Sequence, residues 1–170
     1  MRVSPAFLER PLLVLLAVVT SALVAGLAIA APLAAGSALP AITLADQHDR
    51  KAALGPDVRI VVLTRDMAAG DAFKEGFAGM DQAALELRGA VYVADISGMP
   101  SMIASMFAVP KMRDRSYRIL LDRDGVATRD FPHAEGRPTV LFVEQGEITR
   151  VVQPASGDEL RELLQQPSQP

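Results

Sequence analysis

Gly136-Arg137-Pro138-Thr139-Val140-Leu141-Phe142-Val143-Glu144-Gln145-Gly146-Glu147-Ile148-Thr149-Arg150-Val151-Val152 is the stretch that decides the fold. It reads as a strand entered through a proline, a tight Glu-Gln-Gly turn, and a second strand coming straight back. A proline at the first residue of a strand withholds no ladder donor that an interior position would need. The Arg137-Pro138 bond can also be cis at a cost of only about 0.5–1 kcal/mol, against about 2.5–4 kcal/mol for other residues.

Working outward, Ser156 followed three residues later by Glu159 is a capping box, and Leu160, Leu163 and Leu164 form one apolar face of the helix it opens. Upstream, residues 117–122 read as a strand, and Asp122-Arg123-Asp124-Gly125 as the turn that ends it. Residues 58–64 and 90–96 are nearly continuous apolar runs, as central strands covered on both faces require. A helix is expected between them, capped by Asp71, carrying Phe73 and Phe77, and ending before Gly89. Ser97 or Ser101 is expected to cap another helix, which Pro110 should stop or kink near Ala108. Residues 39–50 read as a short alternating strand and a turn. The order is strand, strand, helix, strand, helix, strand, two hairpin strands and helix. This predicts an α/β domain with a central mixed sheet and helices on both faces. With no Trp, two Tyr and six Phe, an aliphatic core is expected.

The chain has 170 residues, half of them hydrophobic. Its first ten carry Arg2 and Arg10, and residues 11–31 then run without a charge. A positive segment followed by an apolar one is an export signal, and Ala28-Ile29-Ala30 supplies the small-x-small pattern of a cleavage site. The run also matches the roughly 20 residues that span a bilayer as a helix. A cleaved signal peptide and an uncleaved inner-membrane anchor both remain open, and in either case the domain is expected in the periplasm. The expected organisation is a leader at 1–31, a linker at 32–38, the domain at 39–165 and a frayed tail at 166–170. Net charge is −3, with no basic field to hold phosphates, which excludes nucleic acid as a partner. The absence of cysteine excludes disulfides, thiolate nucleophiles and Cys-ligated zinc.

The Arg137-Pro138-Thr139 hairpin and the capped last helix resemble the end of a thioredoxin fold. Leu39-Pro40, the strand after it and the Asp46-Gln47-His48-Asp49 turn resemble the opening of peroxiredoxin and thiol-disulfide oxidoreductase domains, with Asp49 where a glycine often stands. The resemblance spans residues 39–164 and implies a thioredoxin-like domain with a cis proline at 138 facing a redox dithiol. Asp66, Met67, Ala68, Ala69 and Gly70 stand where the dithiol would be. The implied protein is therefore a cysteine-less member, with a binding surface made of these five residues, Arg137 and Pro138. In active relatives that surface clamps an extended polypeptide. Residues 91–101, 110–113 and 121–125 are also similar to a group of short exported bacterial proteins, some of which go by the name FAD/FMN-containing dehydrogenase. No Gly-rich dinucleotide fingerprint follows a first strand here, and no cofactor is expected.

Three further features have both a functional and a bland reading. Met99, Met102 and Met106 fall at i, i+3 and i+7, a helical stripe that suits core packing. As thioethers they would also suit Cu(I). Asp122-Arg123-Asp124-Gly125 resembles the first motif of haloacid-dehalogenase-type phosphatases, but no Lys follows Lys111, and a turn is the expected reading. His133 is expected as a loop histidine flanking the binding surface. The leading functional expectation is a redox-inert module that binds a periplasmic protein, peptide or ligand. The alternatives are a Met-based periplasmic Cu(I)-binding protein and an oxidoreductase-type enzyme without thiol chemistry.

Overall fold

The computed structural model describes residues 31–165; residues 1–30 of the expected leader and the expected tail at 166–170 lie outside them. The apolar run before Arg65 forms β3 (Ile60–Thr64), every residue of which is buried. It stands third in the described order: β1 (Thr43–Asp46), β2 (Lys51–Ala53), β3, α1 (Met67–Gly76), α2 (Gln82–Leu87) and β4 (Ala90–Asp95) come first. Next are α3 (Ser101–Ile103), a π-helical turn (Ala104–Ala108), α4 (Val109–Arg113) and β5 (Ile119–Asp122). The chain closes with β6 (Thr139–Glu144), β7 (Glu147–Val152) and α5 (Gly157–Gln165). Seven strands lie in the order β2-β1-β5-β4-β3-β6-β7. The β3–β4 and β4–β5 pairs are parallel, and the other neighbours are antiparallel. The mixed sheet and the closing hairpin are therefore present. Gln145 and Gly146 both have positive φ, 50° and 81°, as a two-residue hairpin turn that follows strand twist requires.

Alternation along the strands divides the core. Ile60 and Val62 face one cluster with Phe73, Phe77, Leu85, Val109 and Leu160, while Val61 and Leu63 face another with Phe131, Leu141 and Ile148. Phe73 of α1, Leu85 of α2, Val109 of α4 and Leu160, Leu163 and Leu164 of α5 all lie in the first cluster, and no residue of a described helix lies in the second, so the expected helices on both faces are corrected to helices on one. The cause is topological. The β3-to-β4 and β4-to-β5 connections step across the sheet in the same direction, and right-handed crossovers then put both sets of helices on the same side. Leu33, Leu39, Leu54 and Phe131 cover the other face. The stretch expected as a linker belongs to this cover: Leu33 N–H donates to Asp130 O at 2.7 Å, Gly36 N–H to Ile148 O at 2.8 Å, and Leu39 N–H to Gly146 O at 2.8 Å.

The aliphatic core is also corrected. Phe73 stacks on Tyr92 at 3.7 Å between centroids, and Phe77 meets Tyr117 edge to face at 4.8 Å. Few aromatics are spread over the chain, yet α1 and the strands beneath it gather four of them. Tyr92 is fully enclosed, and its hydroxyl pairs with Thr64 Oγ1 at 2.9 Å. Burial pushes its phenol far above the ordinary value, so it stays protonated. Gln47, buried in the turn after β1, donates through its amide to Tyr117 O and accepts from Ile119 N–H, each at 2.8 Å.

The helix expected from Asp71 to Gly89 is two helices. Asp66 caps the first and Asp81 the second, each accepting from the amide three residues on. Asp71 instead lies on the exposed surface of α1, paired with Lys74 at 2.7 Å. Pro110 does not stop the next helix. Val109 N–H reaches back five residues to Ala104 O, and this π turn places Pro110 in the first turn of α4, where a missing N–H costs little. Ser156 Oγ accepts from Glu159 N–H at 3.2 Å, and the Glu159 carboxylate accepts from Ala155 N–H at 2.7 Å. No helix among the described residues is long and apolar enough to cross a membrane.

Candidate binding surface

The parallel strands β3, β4 and β5 end together, and the segments that leave them build the candidate surface. Such strand ends are the usual place for ligands on open α/β sheets. The chain must turn sharply from β3 into α1, and Asp66 makes that turn. Its Oδ1 accepts from Ala69 N–H at 2.8 Å and its Oδ2 from Gly136 N–H at 2.9 Å. One carboxylate thus caps α1 and holds the loop that leads to Pro138. Burial would raise the Asp66 carboxyl, but the Ala69 and Gly136 amides and the charge of nearby His133 outweigh it and keep the group below its ordinary value.

Gly136 has a φ of +72°, and a Cβ placed on it would lie 3.7 Å from Ala68 Cβ, so the loop passes directly over the first turn of α1. Met67 and Ala68 are exposed there, Gly70 is half-buried, and Ala69 is fully buried beneath them. Arg137 is exposed and Pro138 is buried at the entrance to β6. The structure therefore brings together the two stretches singled out in the sequence, and it turns Ala69 inward. The loop is fixed from below, because Thr139 Oγ1 donates to Pro132 O at 2.9 Å and Arg137 N–H donates to Ala134 O at 3.2 Å. The cis proline is corrected: every peptide bond among the described residues is trans, including that of Pro138. A trans bond is the general preference of X-Pro.

Beside this surface a polar chain ties the three strand ends to one another. Asp122, fully buried, accepts from Gly125 N–H at 3.0 Å through Oδ1, and from Thr128 N–H and Oγ1, each at 2.8 Å, through Oδ2. Asp95 Oδ2 accepts from Thr128 Oγ1 at 3.2 Å and lies 3.5 Å from Arg65 Nε, while Arg65 Nη2 donates to Thr128 O. Both Asp122 oxygens accept from residues of the loop that follows, 125 and 128, which is the turn reading of Asp122-Arg123-Asp124-Gly125. Arg65, Asp95 and Thr128 were not legible as a group in the sequence. The available signal was that Arg65 and Asp95 sit where apolar strand runs end.

The methionine stripe behaves differently from its core expectation. Met99 packs partly buried against the first cluster, while Met102 and Met106 are exposed. Ala104 and Val109 take the covered side of this helical stretch, and Met102 and Met106 are left on its exposed side. Among the described residues no three or more His, Cys, Asp or Glu side chains are grouped so as to hold a metal ion. An open cleft of about 290 Å³ lies at the opposite end of the sheet, between Ala52, Leu85, Val91 and Arg118.

No protein-family model matches the chain, and no curated protein matches its sequence. Solved structures match its architecture. A peroxidoxin, BcpB, of Mycobacterium tuberculosis superposes with a TM-score of 0.52 at 15% identity, over 78% of this chain and 94% of that one. The thioredoxin domain of a thiol-disulfide oxidoreductase from Bacteroides vulgatus gives 0.51 at 16%, over 78% and 96%. A peroxiredoxin-like protein of Aquifex aeolicus gives 0.50 at 13%, over 78% and 86%. The described domain has the thioredoxin-like fold of such proteins, and the chain has it without a single cysteine.

Proposed function

We propose that this is an exported, redox-inert thioredoxin-like domain that works by binding an extended polypeptide or ligand at the surface formed by Asp66, Met67, Ala68, Gly70, Arg137 and Pro138. The observation that carries this reading is the Asp66 carboxylate, which holds the start of α1 and the 131–138 loop together. A catalytic dithiol would stand at this junction, and residues with no redox chemistry stand there instead. Rigid elements with an exposed cation and an exposed methionine suit recognition. The leader makes the periplasm the compartment, with the domain either released by cleavage or held at the inner membrane. Selection from a random peptide display library tests the reading. Peptides captured by the full chain should bind more weakly to Arg137→Glu, and undiminished capture would remove this surface from consideration.

The exposure of Met102 and Met106 favours a second reading, a Cu(I) site made with Met99. Titration of Cu(I) into methyl-labelled protein should then shift these three methyl signals together, and Leu substitutions at Met102 and Met106 should abolish binding without unfolding the domain. Unmoved methyl signals would end that reading.

A further inference from the structure

The helical stretch after β4 exposes apolar surface that no described element covers. Met102 is 67% exposed, Ile103 45%, Met106 61% and Phe107 55%. Spacing of i, i+1, i+4 and i+5 makes these four a single strip along the helix. Ile103 and Phe107 offer a metal no donor, so coordination leaves half of the strip unexplained. Contiguous apolar surface of this kind marks an interaction site.

The charge pattern and the route of the chain select the partner. From Ile96 to Arg113 there is no acidic residue, and exposed Lys111 follows the strip one turn on. An apolar strip followed by an exposed lysine fits the boundary between acyl chains and anionic headgroups. The strip begins at the sheet end where the chain enters the domain. Ile96 N–H donates to Asp122 O at 2.9 Å, Gly125 packs against Ser97, exposed Val126 follows, and Leu33 N–H donates to Asp130 O in the same loop. Leu33 is fixed only two residues after the uncharged run at 11–31 ends. A retained leader therefore leaves little slack between bilayer and domain.

We propose that the strip of Met102, Ile103, Met106 and Phe107 is a lipid-contact face that seats the domain on the membrane surface when the leader is retained. The strip belongs to the connection from β4 to β5, whereas Pro138 enters β6 on the other side of β3, so the proposed peptide-binding surface is a separate one. The absence of native cysteine makes the test direct, because a single introduced cysteine carries the only spin label. Full chains with Met106→Cys, Ile103→Cys or Glu144→Cys are labelled with a nitroxide and reconstituted into vesicles of phosphatidylethanolamine and phosphatidylglycerol. Glu144 is exposed at the opposite end of the sheet. Labels at 103 and 106 should collide more with oxygen and several-fold less with a water-soluble nickel chelate than the label at 144. Equal chelate access at 106 and 144 would overturn the proposal. Spin–spin broadening at 106 that grows with the protein-to-lipid ratio would overturn it too, by identifying a second copy as the occupant.

Discussion

Asp66 accepts the amide of Gly136 across 70 residues of sequence while capping the helix that begins at the next residue. The same side chain therefore does local and tertiary work. Replacing it with alanine removes an N-cap, worth about 0.5–2 kcal/mol, and an amide bond to a carboxylate, worth about 1.5–3 kcal/mol. Asp66→Ala should lower the unfolding free energy by about 2 kcal/mol or more. Amides of residues 134–137 should exchange faster in the same variant. A loss below about 0.5 kcal/mol would show that the loop is held elsewhere.

Acid should act through the same contact. The folded Asp66 carboxyl titrates below its ordinary value of 3.8, so the unfolded chain binds the proton first. The stabilisation is complete above that ordinary value and is lost as pH falls through the folded one. Asp46, held low against its burial by the Arg50 and His48 amides and by the Arg50 guanidinium, contributes with the same sign. Denaturant midpoints measured from pH 6 downward should fall steeply only below about pH 4. Asp66→Asn should flatten that fall.

The buried Tyr92 and Thr64 hydroxyls satisfy one another. Tyr92→Phe strands the threonine hydroxyl and should cost about 1–3 kcal/mol. Adding Thr64→Val removes the stranded group, so the double variant should be no less stable than Tyr92→Phe alone. Additive losses in a double-mutant cycle would contradict the pairing.

Gly76 allows α1 to approach α5, since a Cβ there would lie 2.6 Å from Gly157 O and 3.1 Å from Leu160 Cβ. Gly76→Ala gains helix propensity but must push backbone aside. Overpacking costs of about 1–3 kcal/mol exceed the gain of about 1 kcal/mol, so thermal unfolding should occur at lower temperature.

Asp122→Ala should be a structural lesion. The Gly125 and Thr128 amides lose their acceptor, the second of them in a buried site, while the Thr128 hydroxyl can turn to Asp95, and the loss should cost more than about 2 kcal/mol. Phosphate-ester hydrolysis lost only in this variant, with its stability intact, would revive the nucleophile reading.

The central strands were legible as dense apolar runs, residues 58–64 and 90–96 becoming β3 and β4, and the proline hairpin became β6 and β7, whereas the three-residue β2 carried no such run. The Ser156 and Glu159 cap was legible because a capping box is local chemistry. The helix start at Asp66 was not. Asp66 and Asp71 are equal candidates for a cap, and the choice falls to Asp66 because it alone also meets the Gly136 amide. Met102 and Met106 were misread because helical spacing says which residues share a side of a helix but not which side the domain covers, and Ala104 and Val109 took the covered one.

By itself the sequence determined six of the sheet's seven strands, the closing hairpin, the last helix and the loss of thiol chemistry, since alternation, turn residues and composition act over a few residues at a time. Only the tertiary structure decided which face the helices take, which aspartate caps α1, that the 131–138 loop lies over Ala68, and that a strip of apolar side chains remains uncovered. Those depend on contacts between residues far apart in the chain, and no local pattern records which distant amide a carboxylate will meet.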